Sequence, residues 1–310
     1  MIEIEHLTKR YKKQEANAVD DVSFTVAAGE FFALLGPNGA GKTTTISILT
    51  TSLLPTSGSV HVAGYDVVGE ASKVRQHIGV IFQKPSLDLN LTAEENVRMH
   101  AVLYGLYRFR PTFSTMPDAY QRRIHELAEL LGMEKDIFKP LKTFSGGMQR
   151  KLEIVRSLMH HPKVLFLDEP TAGLDPASRR TLWEHLNVVR QESETTLFLT
   201  THYIEEAEQA DHIAIFNQGR IVSLGTPGVL KAELVREFLI LDAAAADQAS
   251  LRGELSGLGL TFDPGFPVKI TLNGHSVQQI VKEIDTPLTS VRTESPSLEE
   301  AYLEIVNGPQ

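Results

Sequence analysis

Between the apolar run Phe31-Phe32-Ala33-Leu34-Leu35 and a helix predicted from about Lys42 to Thr51 stands Gly36-Pro37-Asn38-Gly39-Ala40-Gly41-Lys42-Thr43, followed by Thr44. The run fits the pattern G-x-x-x-x-G-K-[ST] in the strand–loop–helix setting that the pattern demands. Glycines let the backbone curl so that successive N–H groups point at one anion, and the following helix adds the positive end of its dipole. A lysine and a hydroxyl closing such a loop suit a nucleotide, with Lys42 reaching the β- and γ-phosphates and Thr43 ligating Mg²⁺. A merely flexible turn would explain the glycines but not the strand and helix on either side.

A second constraint lies downstream, where the apolar run Val164-Leu165-Phe166-Leu167 ends in Asp168-Glu169. In a parallel sheet such a strand delivers both carboxylates to the carboxyl edge, where ligands of α/β folds bind. Beside a phosphate loop, Asp168 is placed to hold Mg²⁺ through water, and Glu169 to orient or deprotonate an attacking water. Alone, the pair would read as a solvated helix cap. Just before that strand, Phe144-Ser145-Gly146-Gly147-Met148-Gln149 opens a helix. Ser145 is an N-cap by residue type, yet two adjacent glycines at a helix start cost entropy without improving packing. They leave bare N–H groups at a positive helix end, a setting for phosphate.

The order of these elements resembles the nucleotide-binding subunit of ABC transporters, over roughly residues 1 to 230. The phosphate loop corresponds to Walker A, Ile81-Phe82-Gln83 to the Q-loop, and Ser145-Gly146-Gly147 to the signature. Asp168-Glu169 corresponds to Walker B, Ala172-Gly173-Leu174-Asp175-Pro176 to the D-loop, and Thr200-Thr201-His202 to the switch histidine. The resemblance implies ATP and Mg²⁺. It places Tyr11 where an aromatic stacks on adenine, Glu169, His202 and Gln83 at the γ-phosphate, and Thr43, Gln83 and Asp168 on the metal. It implies a nucleotide held by Gly36, Pro37, Asn38, Gly39, Ala40, Gly41, Lys42, Thr43 and Thr44 of one subunit. Ser145 and Gly147 come from another, because one chain carries one set of motifs, and Gly146 and Asp175 are nucleotide-binding residues as well. The implied assembly is a homodimer, or a paired ATPase subunit, with ATP at the interface. Phe144 and Met148 depart from the usual Leu-Ser-Gly-Gly-Gln and leave Ser145 and Gly147 in place. Taken singly, Tyr11 reads as a half-buried strand aromatic, Gln83 as a loop residue and His202 as a helix-entry residue. Their joint order assigns them.

Within the family the chain is similar to the drug-resistance (daunorubicin-type), ABC-2-type exporter branch. The cues are Ser145-Gly146-Gly147-Met148, Gln83-Lys84-Pro85-Ser86-Leu87-Asp88, and Pro296-Ser297-Leu298-Glu299-Glu300-Ala301-Tyr302. This implies multidrug-type export of a small molecule, drug or lipid-like substrate through a separate integral-membrane ABC-2-type permease. The chain would then be cytoplasmic and peripheral on the inner face of the cell membrane. The alternative is a soluble ABC ATPase not linked to transport; ribosome-acting members usually carry two cassettes, where this chain carries one.

Composition narrows the partners. A net charge of −9 argues against non-specific binding to nucleic acid or an anionic bilayer. No apolar run approaches the roughly 20 residues needed to cross a bilayer, and the alternating N-terminus lacks the regions of a signal peptide. The chain has no cysteine, which excludes disulfides and thiolate metal sites.

Strand signals near residues 2–7, 19–26, 31–35, 59–62, 77–82, 164–167 and 196–200 alternate with helical runs. They predict an α/β fold with a largely parallel sheet covered on both faces. The resemblance implies that over residues 1–230 this is the P-loop NTPase fold of ABC type, a mixed sheet core with a β subdomain and a helical subdomain at about 92–160. Arg108 to Pro117 reads as a loop, His160-His161 as a helix end rather than a metal site, and Glu205, Glu206 and Glu208 as a solvated helix face. From about Glu237 the order becomes strand (238–241), helix (247–255), strand (258–262), strand (268–272), helix (276–284), strand (288–293). That βαββαβ order predicts a small ferredoxin-like α+β domain over 237–310, accessory or regulatory. Ser297 and Glu300 open its last helix with a capping box.

Overall fold

The computed structural model describes residues 1–12, 14–233, 238–263, 265–272, 275–294 and 297–307. Glu237, the expected start of the second domain, lies outside them. The chain divides into two compact units, Met1–Leu224 and Gly225–Gln310. The expected boundary at 230 falls inside the helix Pro227–Glu233, which packs against the last helix, Leu298–Asn307.

Among the described residues, the larger sheet of the first unit runs in the order Arg220–Gly225, His212–Asn217, Phe31–Leu35, Thr196–Thr201, Val164–Asp168, Ile78–Ile81. The last five strands pair in parallel. Phe31–Leu35, Val164–Asp168 and Thr196–Thr201 are buried at every residue, as expected of strands covered on both faces. Leu35 lies opposite Thr201 and Asp168 opposite Thr200, so all three strands end on one edge. That edge receives the loops carrying the motifs.

A smaller antiparallel sheet pairs Val19–Val26, Ile2–Lys9, Ser57–Val62 and Tyr65–Asp66. Its alternation slips between Ile4 and Leu7, where the register shifts and His6 takes a φ of +50°, a bulge that turns Leu7 back to the core. A row of rings joins this sheet to the larger one. Phe24 stacks on Phe32 at 4.9 Å, Phe32 on Phe198 at 5.5 Å, and Phe198 meets Phe166 at 5.4 Å. Each such buried ring contributes about 1.5–3 kcal/mol.

The helices Ala93–Leu103, Asp118–Leu130 and Gly146–Leu158 are inserted between the strands Ile78–Ile81 and Val164–Asp168. Thr92 caps the first through a reciprocal box: its hydroxyl accepts Glu95 N–H at 3.2 Å, and Glu95 accepts Thr92 N–H at 2.8 Å. In the second, Tyr120, Ile124, Leu127 and Ala128 form the buried stripe that the 3.6-residue period predicts. The connection from Arg108 to Pro117 is irregular save for a 3-10 turn at Phe113–Thr115. It is tied down by Arg98, which donates to Arg110 O at 2.9 Å, and by Phe113, edge-on to Phe138 at 4.9 Å.

In the second unit the sheet order is Val268–Thr271, Phe238–Ala243, Leu288–Glu294, every pairing antiparallel. The expected strand over 258–262 is reduced to an isolated bridge between Phe262 and Ile270. The preceding helix, Gln248–Gly257, consumes the missing residues: Leu258, Gly259 and Leu260 donate back to Glu254, Ser256 and Leu255, with Gly259 at φ +70°. With that bridge counted as a strand, the order is that of a ferredoxin-like unit. Leu239, Leu241, Leu251, Leu255, Val268, Ile270 and Ile280 make its core, and Ser297 and Glu300 form the expected box at the last helix.

Candidate active site

The loop from Gly36 to Thr44 joins the buried strand Phe31–Leu35 to the helix Lys42–Leu49. Two of its glycines are required sterically. A Cβ on Gly36 would stand 2.2 Å from Phe216 O, and one on Gly41, at φ +113°, would stand 2.2 Å from Ala18 O. The helix begins without a side-chain cap, so its first-turn N–H groups have no partner within the helix and suit an anion. Gly36→Ala is expected to push the loop off the strand His212–Asn217 and to weaken ATP binding by about tenfold or more, roughly 1.4 kcal/mol. Isothermal calorimetry with ATP measures this; native affinity would mean that the loop has room the geometry denies.

A hollow of about 270 Å³ opens over the loop, lined by Tyr11, Asn38, Gly39, Lys42, Thr43, Thr44 and Glu169 among others. Tyr11 is 38% exposed, with its hydroxyl 3.3 Å from Thr44 Oγ1. A roomier hollow of about 640 Å³, lined by residues such as Gly29, Arg190 and Glu194, lies where strands of the sheet begin and meets none of the motifs.

Lys42 is buried, and its Nζ donates to Gly36 O at 2.7 Å and Pro37 O at 3.0 Å. Burial holds its ammonium below the ordinary lysine range, and the charges of Glu169 and Asp168 oppose that shift. Asp168 is pushed above the usual carboxylate range by burial, while the Thr200 hydroxyl, which donates to its Oδ1, and the Lys42 charge pull it down. Glu169 is the meeting point. Gln83 Nε2 donates to its Oε2 at 2.9 Å; His202 Nδ1 lies 3.3 Å and Lys42 Nζ 4.0 Å from its Oε1. Three residues drawn from distant parts of the chain thus converge on one carboxylate. Glu169 takes a φ of +46°, a left-handed conformation that costs a non-glycine residue on the order of 1–3 kcal/mol and tends to mark functional sites.

The signature residues sit elsewhere. Ser145 and Gly146 are exposed, and Ser145 Oγ accepts Met148 N–H at 3.3 Å as an N-cap. Phe144 is buried, so the aromatic in place of leucine serves as core. A Cβ on Gly147 would stand 3.0 Å from Ser178 Oγ, and one on Gly146 3.6 Å from Leu174. The signature therefore lies beside the D-loop of its own chain. Asp175 caps the helix Pro176–Ser193, accepting Ala177 and Ser178 N–H at 3.0 Å each. Neither Asp175 nor any signature residue lines the hollow over the phosphate loop, among the described residues.

Several supporting residues escaped the motif reading. Arg150 donates to Phe82 O at 2.5 Å and also to Gln83 O, and Arg156 donates to Ser86 O and Oγ at 2.7 Å. Between them Glu153, fully buried, pairs with Arg150 at 2.7 Å and accepts Ser86 N–H at 3.2 Å. The helix that starts at the signature thereby grips the Q-loop backbone on both sides of Gln83. Only the i, i+3, i+6 spacing of opposite charges hinted at this. Glu206 is the other departure: expected on a solvated face, it is 1% exposed.

The sequence model of the ABC transporter family matches residues 19–172. The probable multidrug ABC transporter ATP-binding protein YbhF of Escherichia coli is 41% identical over 233 residues, which cover 75% of this chain but 38% of that protein. The doxorubicin resistance ATP-binding protein DrrA of Mycobacterium tuberculosis is 37% identical over 317 residues, covering 97% of this chain and 92% of the relative. Among solved structures, the dimeric post-hydrolysis state of an ATP-binding cassette with ADP and phosphate superposes with a TM-score of 0.63 at 27% identity, over 73% of this chain and 98% of that one. The chain belongs to the ABC transporter family, among the ATP-binding proteins of its drug-resistance branch.

Proposed function

We propose that the chain is the ATP-binding and ATP-hydrolysing subunit of an exporter. It works as a pair with ATP between two copies and energises passage of a small-molecule, drug or lipid-like substrate through a separate ABC-2-type permease. The observation that carries the reading is the convergence of Gln83, His202 and Lys42 on the Glu169 carboxylate beside an uncapped phosphate loop. In this reading each residue of the site has a role. Lys42 gives the β- and γ-phosphates a buried cation, the loop N–H groups donate to the remaining phosphate oxygens, and Tyr11 offers its ring to the adenine. Thr43, Gln83 and Asp168 supply an oxygen donor set for Mg²⁺. When bound, that ion neutralises charge on the β- and γ-phosphates. Glu169 orients a water for in-line attack and takes its proton, while His202 and Gln83 hold the carboxylate in place. Ser145, Gly146, Gly147 and Asp175 serve the site of the partner copy.

No helix of the described residues is long and apolar enough to cross a membrane, and the proposed place of work is the inner face of the cell membrane, on the permease. The second unit, in this reading, is an accessory that steadies the pair. Truncation after Leu224 is expected to lower ATP-dependent pairing. The function itself is tested by assaying purified protein for Mg²⁺-dependent phosphate release and by affinity capture from detergent-solubilised membranes. A polytopic membrane protein should be recovered with it. Recovery with ribosomes, and none with membrane proteins, would favour the soluble ATPase.

A further inference from the structure

Glu206 stands on a helix of four residues, Ile204–Ala207, that turns this one carboxylate inward. Thr171 Oγ1 donates to its Oε1, Thr201 Oγ1 donates to its Oε2 at 2.7 Å, and Arg179 Nε lies 3.9 Å from Oε1. These partners belong to three different parts of the site. Thr171 lies two residues past Glu169, and its carbonyl accepts Leu174 N–H at 3.0 Å at the D-loop. Thr201 directly precedes His202; its carbonyl accepts Gly36 N–H at 3.3 Å and its hydroxyl oxygen accepts Tyr203 N–H at 2.9 Å. Arg179, whose N–H donates to Asp175 O, lays its guanidinium 4.3 Å from the centroid of the Tyr203 ring, itself 4.1 Å from the His202 ring. His202 is thus flanked by two residues that Glu206 secures, one directly and one through Arg179 and Thr201. A carboxylate kept this dry is costly unless its hydrogen bonds are made. Removing it would leave two buried hydroxyls to find other partners.

We propose that Glu206 is a positioning residue for hydrolysis. It fixes the backbone carrying His202 against the segment carrying Glu169 and Asp175, so that the imidazole keeps its contact with the Glu169 carboxylate. This rests on reading the Glu169 site as hydrolytic. The test compares wild type, Glu206→Ala, Glu206→Gln, Thr201→Val, His202→Ala and the double variant Glu206→Ala/His202→Ala in the full chain. Steady-state kcat and ATP affinity are measured for each.

Glu206→Ala should lower kcat by about tenfold or more while ATP affinity stays within about threefold. Thr201→Val cuts the bond from Thr201 to Glu206 and the acceptor for Tyr203 N–H but leaves Thr171 and Arg179 beside the carboxylate. It should do likewise, and Glu206→Gln, keeping one acceptor oxygen, should recover part of the rate. The double variant should fall no more than about twofold below His202→Ala, because both changes act through one imidazole. If Glu206→Ala fails to fold, Thr201→Val and Glu206→Gln decide. Native kcat in Thr201→Val and in Glu206→Ala, multiplying losses in the double variant, or ATP affinity falling in step with kcat would each overturn the proposal. Absence of turnover in wild type would instead defeat the hydrolytic reading, and so is distinguishable.

Discussion

Glu169→Gln is expected to hold ATP at near-native affinity and to turn it over at least ~100-fold more slowly. The amide keeps the size of the carboxylate and still accepts a hydrogen bond, so the loop and hollow should keep their shape. It has no usable basicity, so a water beside the γ-phosphate loses its proton acceptor. Glutamine at 169 also removes one of the two carboxylate charges that favour the ammonium of Lys42. Asp168 remains, and a bound triphosphate more than replaces the lost charge. Turnover should therefore suffer while binding does not. Steady-state phosphate release with calorimetric ATP titration separates the two, and turnover within about threefold of wild type would remove Glu169 from the base role.

Lys42→Ala is expected to weaken ATP binding on the order of 100-fold, about 2.7 kcal/mol. Lys42 is 4% exposed and donates to two loop carbonyls. Its loss leaves those oxygens and the Glu169 and Asp168 carboxylates facing a polyanion with no nearby cation to offset them. A charged group buried among opposite charges is expensive to remove from one side only. Lys42→Met separates charge from packing, because it keeps most of the apolar stem: its affinity loss should match that of Lys42→Ala while its melting temperature stays closer to wild type. Calorimetry and thermal melts read both, and native ATP affinity in either variant would contradict the phosphate role.

What was legible in the sequence was whatever local pattern dictates. The loop from Gly36 to Thr43 was readable because its steric demands allow few residues, and the strand ending in Asp168-Glu169 because a fully buried parallel strand must be continuously apolar. The capping boxes at Thr92 and Ser297 follow from three-residue spacing alone. The helix Ala71–His77 and the strands His212–Asn217 and Arg220–Gly225 have no counterpart among the expected elements. The helix presents a single buried residue, Val74, too little for periodicity to register, and Arg220–Gly225 buries no residue that would set an alternation. The strand expected at 258–262 failed because helix capping claimed its residues, a competition decided by Gly259. The inward turn of Glu206 was invisible for a different reason. Its partners lie 35 residues upstream at Thr171 and 5 upstream at Thr201, and only the meeting of two strand ends at the sheet edge creates the pocket it fills. Likewise the grip of Arg150, Glu153 and Arg156 on the Q-loop spans 67 to 70 residues.

One chain, in this view, holds half of each site: the phosphate loop and Glu169 face the hollow, while Ser145 is exposed and Gly146 and Gly147 stand by the D-loop. The most direct measurement is the sedimentation mass of Glu169→Gln with Mg²⁺ and ATP, set against the same protein with ADP. Twice the chain mass with ATP, reverting towards the single-chain mass with ADP, is the expected result. A single-chain mass under saturating ATP, with calorimetry showing the nucleotide bound, would contradict it.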